Sequence, residues 1–247
     1  MATDSTRLNK FIAHHAGLSR READAAIEQG RVRVNAAVAS LGLQVQPRDI
    51  VELDGVKLSA HHVYTYLLLN KPVGYVCSRR AQGDAPTIYS LLPRQYHHLK
   101  TVGRLDRDSS GLIILTDDGD LAHRMTHPKF TKTKTYHVTL DHALEPLHMQ
   151  MISEYGIQLD DGVSRFIVSS LPDSCQQRGG DADPLIANPS LLTPHRYEVT
   201  MSEGRNRQIR RTFAALGYTV TALHRITFGP YTLTNEKPGE FHLVENI

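Results

Sequence analysis

Hydrophobic positions in the first sixty residues recur twice at helical spacing and then at strand spacing. Leu8, Phe11 and Ile12 mark one face of a short helix that Gly17 stops. Ser19-Arg20-Arg21-Glu22 has the form of a capping box, in which Ser19 accepts from the Glu22 amide and Glu22 reaches back to the Ser19 amide. The helix it opens turns Ala23, Ala26 and Ile27 inward and ends at Gly30, a residue suited to a left-handed cap. Val32 and Val34 then alternate with Arg31 and Arg33, which is strand chemistry with arginines on one side. Residues 50–58 predict a hairpin, IVEL and VKL joined by a tight Asp54-Gly55 turn. Residues 1–60 therefore read as a compact module of their own, and 61–247 as a second domain.

A short polar joint at 59–65 separates the two, and strand patterns follow it. They fall at YLLLN (66–70), YVCS (75–78), LIIL (112–115), TYHVTL (135–140), RFIVSS (165–170) and RYEVTM (196–201), with Lys71-Pro72-Val73-Gly74 as a turn. Helices are expected near 120–125, 146–155 and 205–216. Strands dominate and the helices do not alternate with them, so the fold class is α+β with a mixed, mostly antiparallel sheet. Residues 171–194 hold four prolines, a glycine pair and no periodicity, and read as an inserted, flexible surface loop.

Composition narrows the classes. At 247 residues, 40% hydrophobic and 22% charged, the chain can bury a core; a disordered chain or a coiled-coil rod is not expected. Two distant cysteines exclude a disulfide scaffold or zinc ribbon and suit a reducing cytoplasm. Neither an apolar leader core nor a membrane-length apolar run is present, so a soluble protein with no membrane partner is expected. The net charge of +2 is unevenly spread. From Arg7 to Arg33 six basic residues (Arg7, Lys10, Arg20, Arg21, Arg31, Arg33) face three acids, and from Glu203 to Arg225 five arginines face Glu203 alone. Arg20 and Arg21 also sit at a helix start, opposing the macrodipole. Two basic clusters in a nearly neutral chain suit a polyanion held at two places.

Two segments carry the candidate chemistry. In 103–111 (GRLDRDSSG) a charged loop runs into an apolar strand, a common setting for a catalytic side chain. Flanked by Arg104 and Arg107, Asp106 is expected to stay ionised, as a nucleophile or electrostatic stabiliser, or else as a turn carboxylate. Asp117 and Asp118, beside Gly119, suit turn and cap roles. In 203–213 (EGRNRQIRRTF) Ile209 and Phe213 form an apolar stripe with Leu216, and Arg207, Arg210 and Arg211 group on the opposite face, suited to binding phosphates. His123 and His127 have a metal-chelating spacing but lack the following glutamate, and Pro128 ends the helix there. No glycine-rich nucleotide motif occurs, so no nucleotide cofactor is expected.

These segments, in their order, carry a resemblance. GRLDRDSSG resembles the signature of pseudouridine synthases of the ribosomal small-subunit pseudouridine synthase A type. RLNKFIA, SRREAD and IEQGRVRVN resemble the alpha-L RNA-binding domain that precedes the catalytic domain in many members. LLLNKPVGYVCS (67–78), KTYHV (134–138) and EGRNRQIRR (203–211) match further family segments. The resemblance implies a pseudouridine synthase fold with a central cleft. Asp106 is then the catalytic aspartate, Tyr136 the active-site tyrosine and Arg210 the basic residue pairing with that aspartate. Arg104 is implied to help displace the target base, and Lys10, Arg20, Arg21, Arg31, Arg33, Arg207 and Arg211 are expected to bind RNA. The substrate implied is ribosomal RNA, free or in a pre-ribosomal particle, acted on by a monomer with no cofactor or metal. Thr212 stands where the family more often has methionine, and the 171–194 loop is longer than expected. A non-catalytic ribosome-associated RNA-binding protein would use the same basic clusters without Asp106. A glycoside hydrolase could pair Asp106 with Asp108, but the chain has no Trp and few aromatics to line a sugar groove.

Overall fold

The computed structural model describes residues 5–58, 64–80, 82–172 and 195–244. Most of the expected joint (59–63) and nearly all of the expected loop (173–194) lie outside the described residues.

The N-terminal module forms as its pattern predicts. Helix α1 (Leu8–His15) buries Leu8 and Ile12, and α2 (Arg20–Glu28) buries Ala23, Ala26 and Ile27. Both arms of the capping box form: the Glu22 amide donates to Ser19 Oγ at 3.2 Å, and the Ser19 amide to Glu22 Oε2 at 2.6 Å. Strands β1 (Val32–Val34), β2 (Val51–Leu53) and β3 (Val56–Lys57) pair antiparallel. Asp54 and Gly55 take positive φ at the hairpin tip, as a mirror-image turn requires. These elements enclose a core of their own, separate from that of the main sheet.

The larger part is built on β4 (Tyr66–Lys71), β5 (Lys100–Val102), β6 (Ser110–Thr116), β7 (Lys134–Leu140), β8 (Ile167–Ser170), β9 (His195–Met201), β10 (Val220–Phe228) and β11 (Phe241–Val244). Among the described residues the sheet has nine strands and runs β8-β9-β7-β10-β6-β4-β11, with β5 added to β6 and Tyr231–Thr232 to β10. Only the β10–β6 pairing is parallel, so the sheet is mixed and mostly antiparallel, as expected. Its middle is covered on both faces. Leu67, Leu69, Ile113, Leu115, Tyr136 and Val138 pack with Phe213 on one side; Leu68, Leu112, Ile114, Met125 and Phe228 pack on the other. Helix α3 (Gly119–Thr126) is capped by Asp118, whose carboxylate accepts from the Asp120 and Leu121 amides at 2.9 Å each. Asp117 in turn accepts from the Thr65 amide, so both aspartates fill the turn and cap roles read for them. No helix among the described residues is long and apolar enough to cross a membrane.

Three expectations are corrected. YVCS is not a strand: only Val76 makes a bridge, to Thr87. Both edges of β4 are already taken, by β6 and β11, so the segment after it has no ladder to join. The 146–155 helix changes winding, with α4 (Pro146–Gln150) passing into a π-helical turn at Met151–Tyr155. Helix α5 (Gln208–Ala215) begins later than 205, because Arg207 holds a left-handed backbone (φ 47°, ψ 30°) in which a helix cannot propagate.

Candidate active site

The loop from Gly103 to Ser109 and the loop from Ser202 to Arg207 face one another across a cavity of about 510 Å³. Arg104, Asp106, Tyr136, Arg207 and Arg225 share its wall. Asp106 stands at the start of a turn closed by the Ser109 amide, which donates to its carbonyl at 3.1 Å. Beneath that turn lies Lys71, fully buried, whose Nζ donates to Ser109 O at 2.6 Å and Pro72 O at 3.0 Å. Burial lowers the Lys71 pKa, against the pull of Cys77, Asp108 and Asp106, which favour its charged form. A buried cation therefore braces the floor of the aspartate loop. Tyr136 is 8% exposed and lies on β7 with Val138 and Leu140, its ring on the apolar face and at the cavity wall.

The pairing expected between Arg210 and Asp106 is not present. Arg210 does not reach the cavity; its Nη2 donates to Asp108 O at 2.8 Å, its Nη1 to Val220 O at 2.7 Å, and its Nε stands 3.3 Å from Asp108 Oδ2. Within 4 Å of the Asp106 carboxylate the cation among the described residues is Arg207, Nη1 to Oδ2 3.8 Å. Arg104 and Arg107, its neighbours in sequence, are exposed. Arg207 also makes a two-pronged contact with Asp108, at 3.0 and 2.9 Å. The left-handed turn at Arg207 explains the exchange, since it brings this side chain over the aspartate loop and leaves Arg210 behind Asp108.

Asp108 gains a measurable signature from this. Burial alone would raise its pKa, but the Arg207 hydrogen bonds and the Arg210 and Arg207 charges outweigh it and hold the carboxyl below the usual aspartate range. The contribution to stability is therefore present above the ordinary aspartate pKa and is lost as pH falls through the lowered, folded-state value. With its side chain 45% exposed, solvent screening keeps that contribution to no more than about 1 kcal/mol. Wild-type protein should thus lose more melting temperature than Asp108→Asn on moving from neutral to acid pH; parallel losses would show that the ion pair contributes nothing.

The other cations of the two basic clusters divide. Arg205 and Arg211 are committed to the hairpin at 157–164: Arg205 Nη1 meets Asp161 Oδ1 at 2.7 Å, and Arg211 Nη2 meets Asp161 Oδ2 at 2.6 Å. The same hairpin explains Thr212, which is buried with its Oγ1 2.7 Å from Ser164 Oγ, a polar niche unsuited to methionine. Arg31 spends its fork on Asp54 at 2.8 and 2.6 Å, and Lys10 pairs with Asp120 at 2.6 Å. Arg20, Arg21 and Arg33 are exposed, and Arg20 joins Lys10 on the wall of a second cavity of about 670 Å³ that Lys100 also lines. Among the described residues no three metal-type ligands converge, and His123 and His127 instead pack ring against ring, 4.8 Å between centroids.

The sequence reading missed Lys71, Lys134 and Arg225 as residues of the site. A lysine closing an apolar strand was the available signal, because lysine is almost never fully buried without partners. Arg225 gave none beyond belonging to the second basic cluster.

A sequence profile of the family described as RNA pseudouridylate synthase matches residues 65–215, and one described as the S4 domain matches residues 6–51. The chain is 35% identical to ribosomal small subunit pseudouridine synthase A of Yersinia pestis over 95% of its own length and 93% of that protein's. It is 38% identical to the protein of the same name from Pasteurella multocida (strain Pm70), over 92% and 90%. A solved structure described as a pseudouridylate synthase superimposes with a TM-score of 0.62 at 33% identity, covering 96% of this chain and 95% of that one.

Proposed function

The chain belongs to the RNA pseudouridylate synthase family, an isomerase carrying an N-terminal S4 domain, and from that premise we propose that Asp106 is its catalytic residue and ribosomal RNA its substrate. The observation that carries the reading is the joint presence of Asp106, Tyr136 and Arg207 on the wall of one cavity, with the carboxylate held on a braced turn. In the reaction the bond between uracil N1 and the sugar C1′ breaks, the base turns, and C5 bonds to C1′; the proton lost from C5 is balanced by the one gained at N1. Substrate and product are isomers, so the reaction consumes no co-reactant.

Asp106 acts either by attacking C1′ or by taking a sugar proton as a glycal forms. Both roles need a carboxylate oxygen open to the sugar, and Arg207 Nη1 stands 3.8 Å from Oδ2 on the side of the second loop. Tyr136 offers the extruded base a ring to pack against, and Arg104, exposed at the rim, is suited to fill the gap the base leaves. Arg210 is a positioning residue, which fixes Asp108 and through it the aspartate loop. The relatives' names support ribosomal over transfer RNA. Action as a monomer fits a candidate site whose lining comes from one chain, and a cytoplasmic setting fits a ribosomal RNA substrate.

Incubation with uridine-labelled ribosomal RNA transcripts tests the reading: pseudouridine is expected, whereas free uracil or binding alone would refute it. The 1–60 module should supply phosphate contacts more than base reading. Replacing Arg20 and Arg21 together by Gln should weaken RNA binding and flatten the plot of log affinity against log salt by roughly one to two units. An unchanged slope would remove these arginines from the interface.

A further inference from the structure

Beyond Tyr136, the cavity ends in two cations that the chemistry above does not use. Arg225 is the cross-strand partner of Tyr136, 2% exposed, and lines the cavity. Its Nε donates to Leu112 O at 2.8 Å, while its Nη2 is buried with no hydrogen-bond partner among the described residues. Lys134 lies two residues before Tyr136 on β7 and lines the same cavity. Both cations sit over the Phe228 ring, Lys134 Nζ 5.2 Å and Arg225 Cζ 4.9 Å from its centroid.

The charge here is unbalanced. Lys134 Nζ donates only to main-chain oxygens, of Glu203 at 3.2 Å and Lys132 at 3.4 Å. The Glu203 carboxylate itself is turned to Gln208 and Arg205. Among the described residues no carboxylate lies within 4 Å of either cation. Burial first, and then the Arg225 charge, lower the Lys134 pKa, and the more distant Glu203 charge only partly opposes them. Such a pair of cations repels itself until an anion enters, and a buried guanidinium N–H without an acceptor is costly. Uracil and ribose are neutral; in a nucleotide of RNA the group that carries charge is the phosphodiester.

We propose that Lys134 and Arg225 form a subsite for a phosphodiester group beside the target uridine, a reading that rests on the function proposed above. The base then meets Tyr136, the sugar meets Asp106, and the backbone anion meets the two cations over Phe228. The subsite holds the nucleotide by its charged end and adds to its binding.

Titrating uridine, uridine 5′-monophosphate, uridine 3′-monophosphate and inorganic phosphate into the protein, followed by NMR, tests the subsite without requiring turnover. One monophosphate should bind about 10-fold tighter than uridine, the scale of a charge-assisted hydrogen bond. Lys134→Met, at a half-buried position, and Arg225→Gln should each bring that ratio close to one without changing uridine affinity. Equal binding of uridine and both monophosphates by the wild type overturns the proposal, as does an advantage that survives Lys134→Met in a protein with unchanged melting temperature. On a transcript that the enzyme converts, Lys134→Met should raise KM about 10-fold with kcat within about twofold, as loss of uniform binding predicts. A fall in kcat at constant KM would overturn it instead. Failure to isomerise any RNA would defeat the proposed function but not the monophosphate preference, so the two failures are distinguishable.

Discussion

Asp106→Asn should lose isomerisation by at least about 10⁴-fold in kcat while remaining folded and bound to RNA. The side chain is 36% exposed and belongs to no apolar core, and asparagine keeps its shape, so melting temperature should shift little. What disappears is the oxygen proposed to attack C1′ or accept a proton; Glu203, which also lines the cavity, is turned to Gln208 and Arg205. Asp108, the nearest carboxylate in sequence, is held by Arg207 and Arg210. Affinity for RNA should hold or rise slightly, because a negative charge is removed from a site that receives a polyanion. Gel-shift affinity, thermal melting and pseudouridine formation measured on one preparation decide the matter. Product formed at a normal rate would remove Asp106 from the mechanism, and lost RNA affinity would make its role one of binding.

What was legible in the sequence was what local chemistry decides. The capping box at Ser19 and Glu22, the Asp54-Gly55 turn and the apolar stripe of α5 depend on neighbours a few residues away, and each formed as written. Strand β10, central to the sheet, is not among the predicted strands. Its pairing with β7 is interrupted by two register shifts, so its buried positions do not alternate and the period-2 signal is broken. YVCS failed for the opposite reason: its composition suits a strand, but only Val76 finds a bridging partner, Thr87, and no ladder extends from it. The site shows the same division. The positions of Asp106 and Tyr136 in one cavity follow from segments each readable alone. Which arginine faces the carboxylate depends on a left-handed residue at Arg207 and on a hairpin at 157–164 that takes up Arg205 and Arg211, and neither is encoded in the spacing of the arginines.

Gly111→Ala should be the most damaging single change to the fold around the site. Gly111 pairs with Arg225 on one side and Lys71 on the other, so it joins the strand behind the phosphate subsite to the strand that braces the aspartate loop. Its φ is +103°, and a Cβ there would collide with the Arg225 backbone nitrogen and oxygen and lie 2.9 Å from the carbonyl carbon. Backbone of a central strand cannot swing aside as a flexible side chain can, so the strands must separate. The cost should reach about 4 kcal/mol or more, the range reserved for such collisions. Gly74→Ala is the matched control: its φ is +94°, yet an added Cβ meets nothing within 4 Å. That change should cost only the backbone penalty of about 1–2 kcal/mol. The difference between the two variants isolates the close approach of β6 and β10 from the preference of glycine for positive φ. Similar losses of melting temperature in the two would mean that the parallel β6–β10 contact tolerates a methyl group, and that the site does not depend on the tightness of this seam.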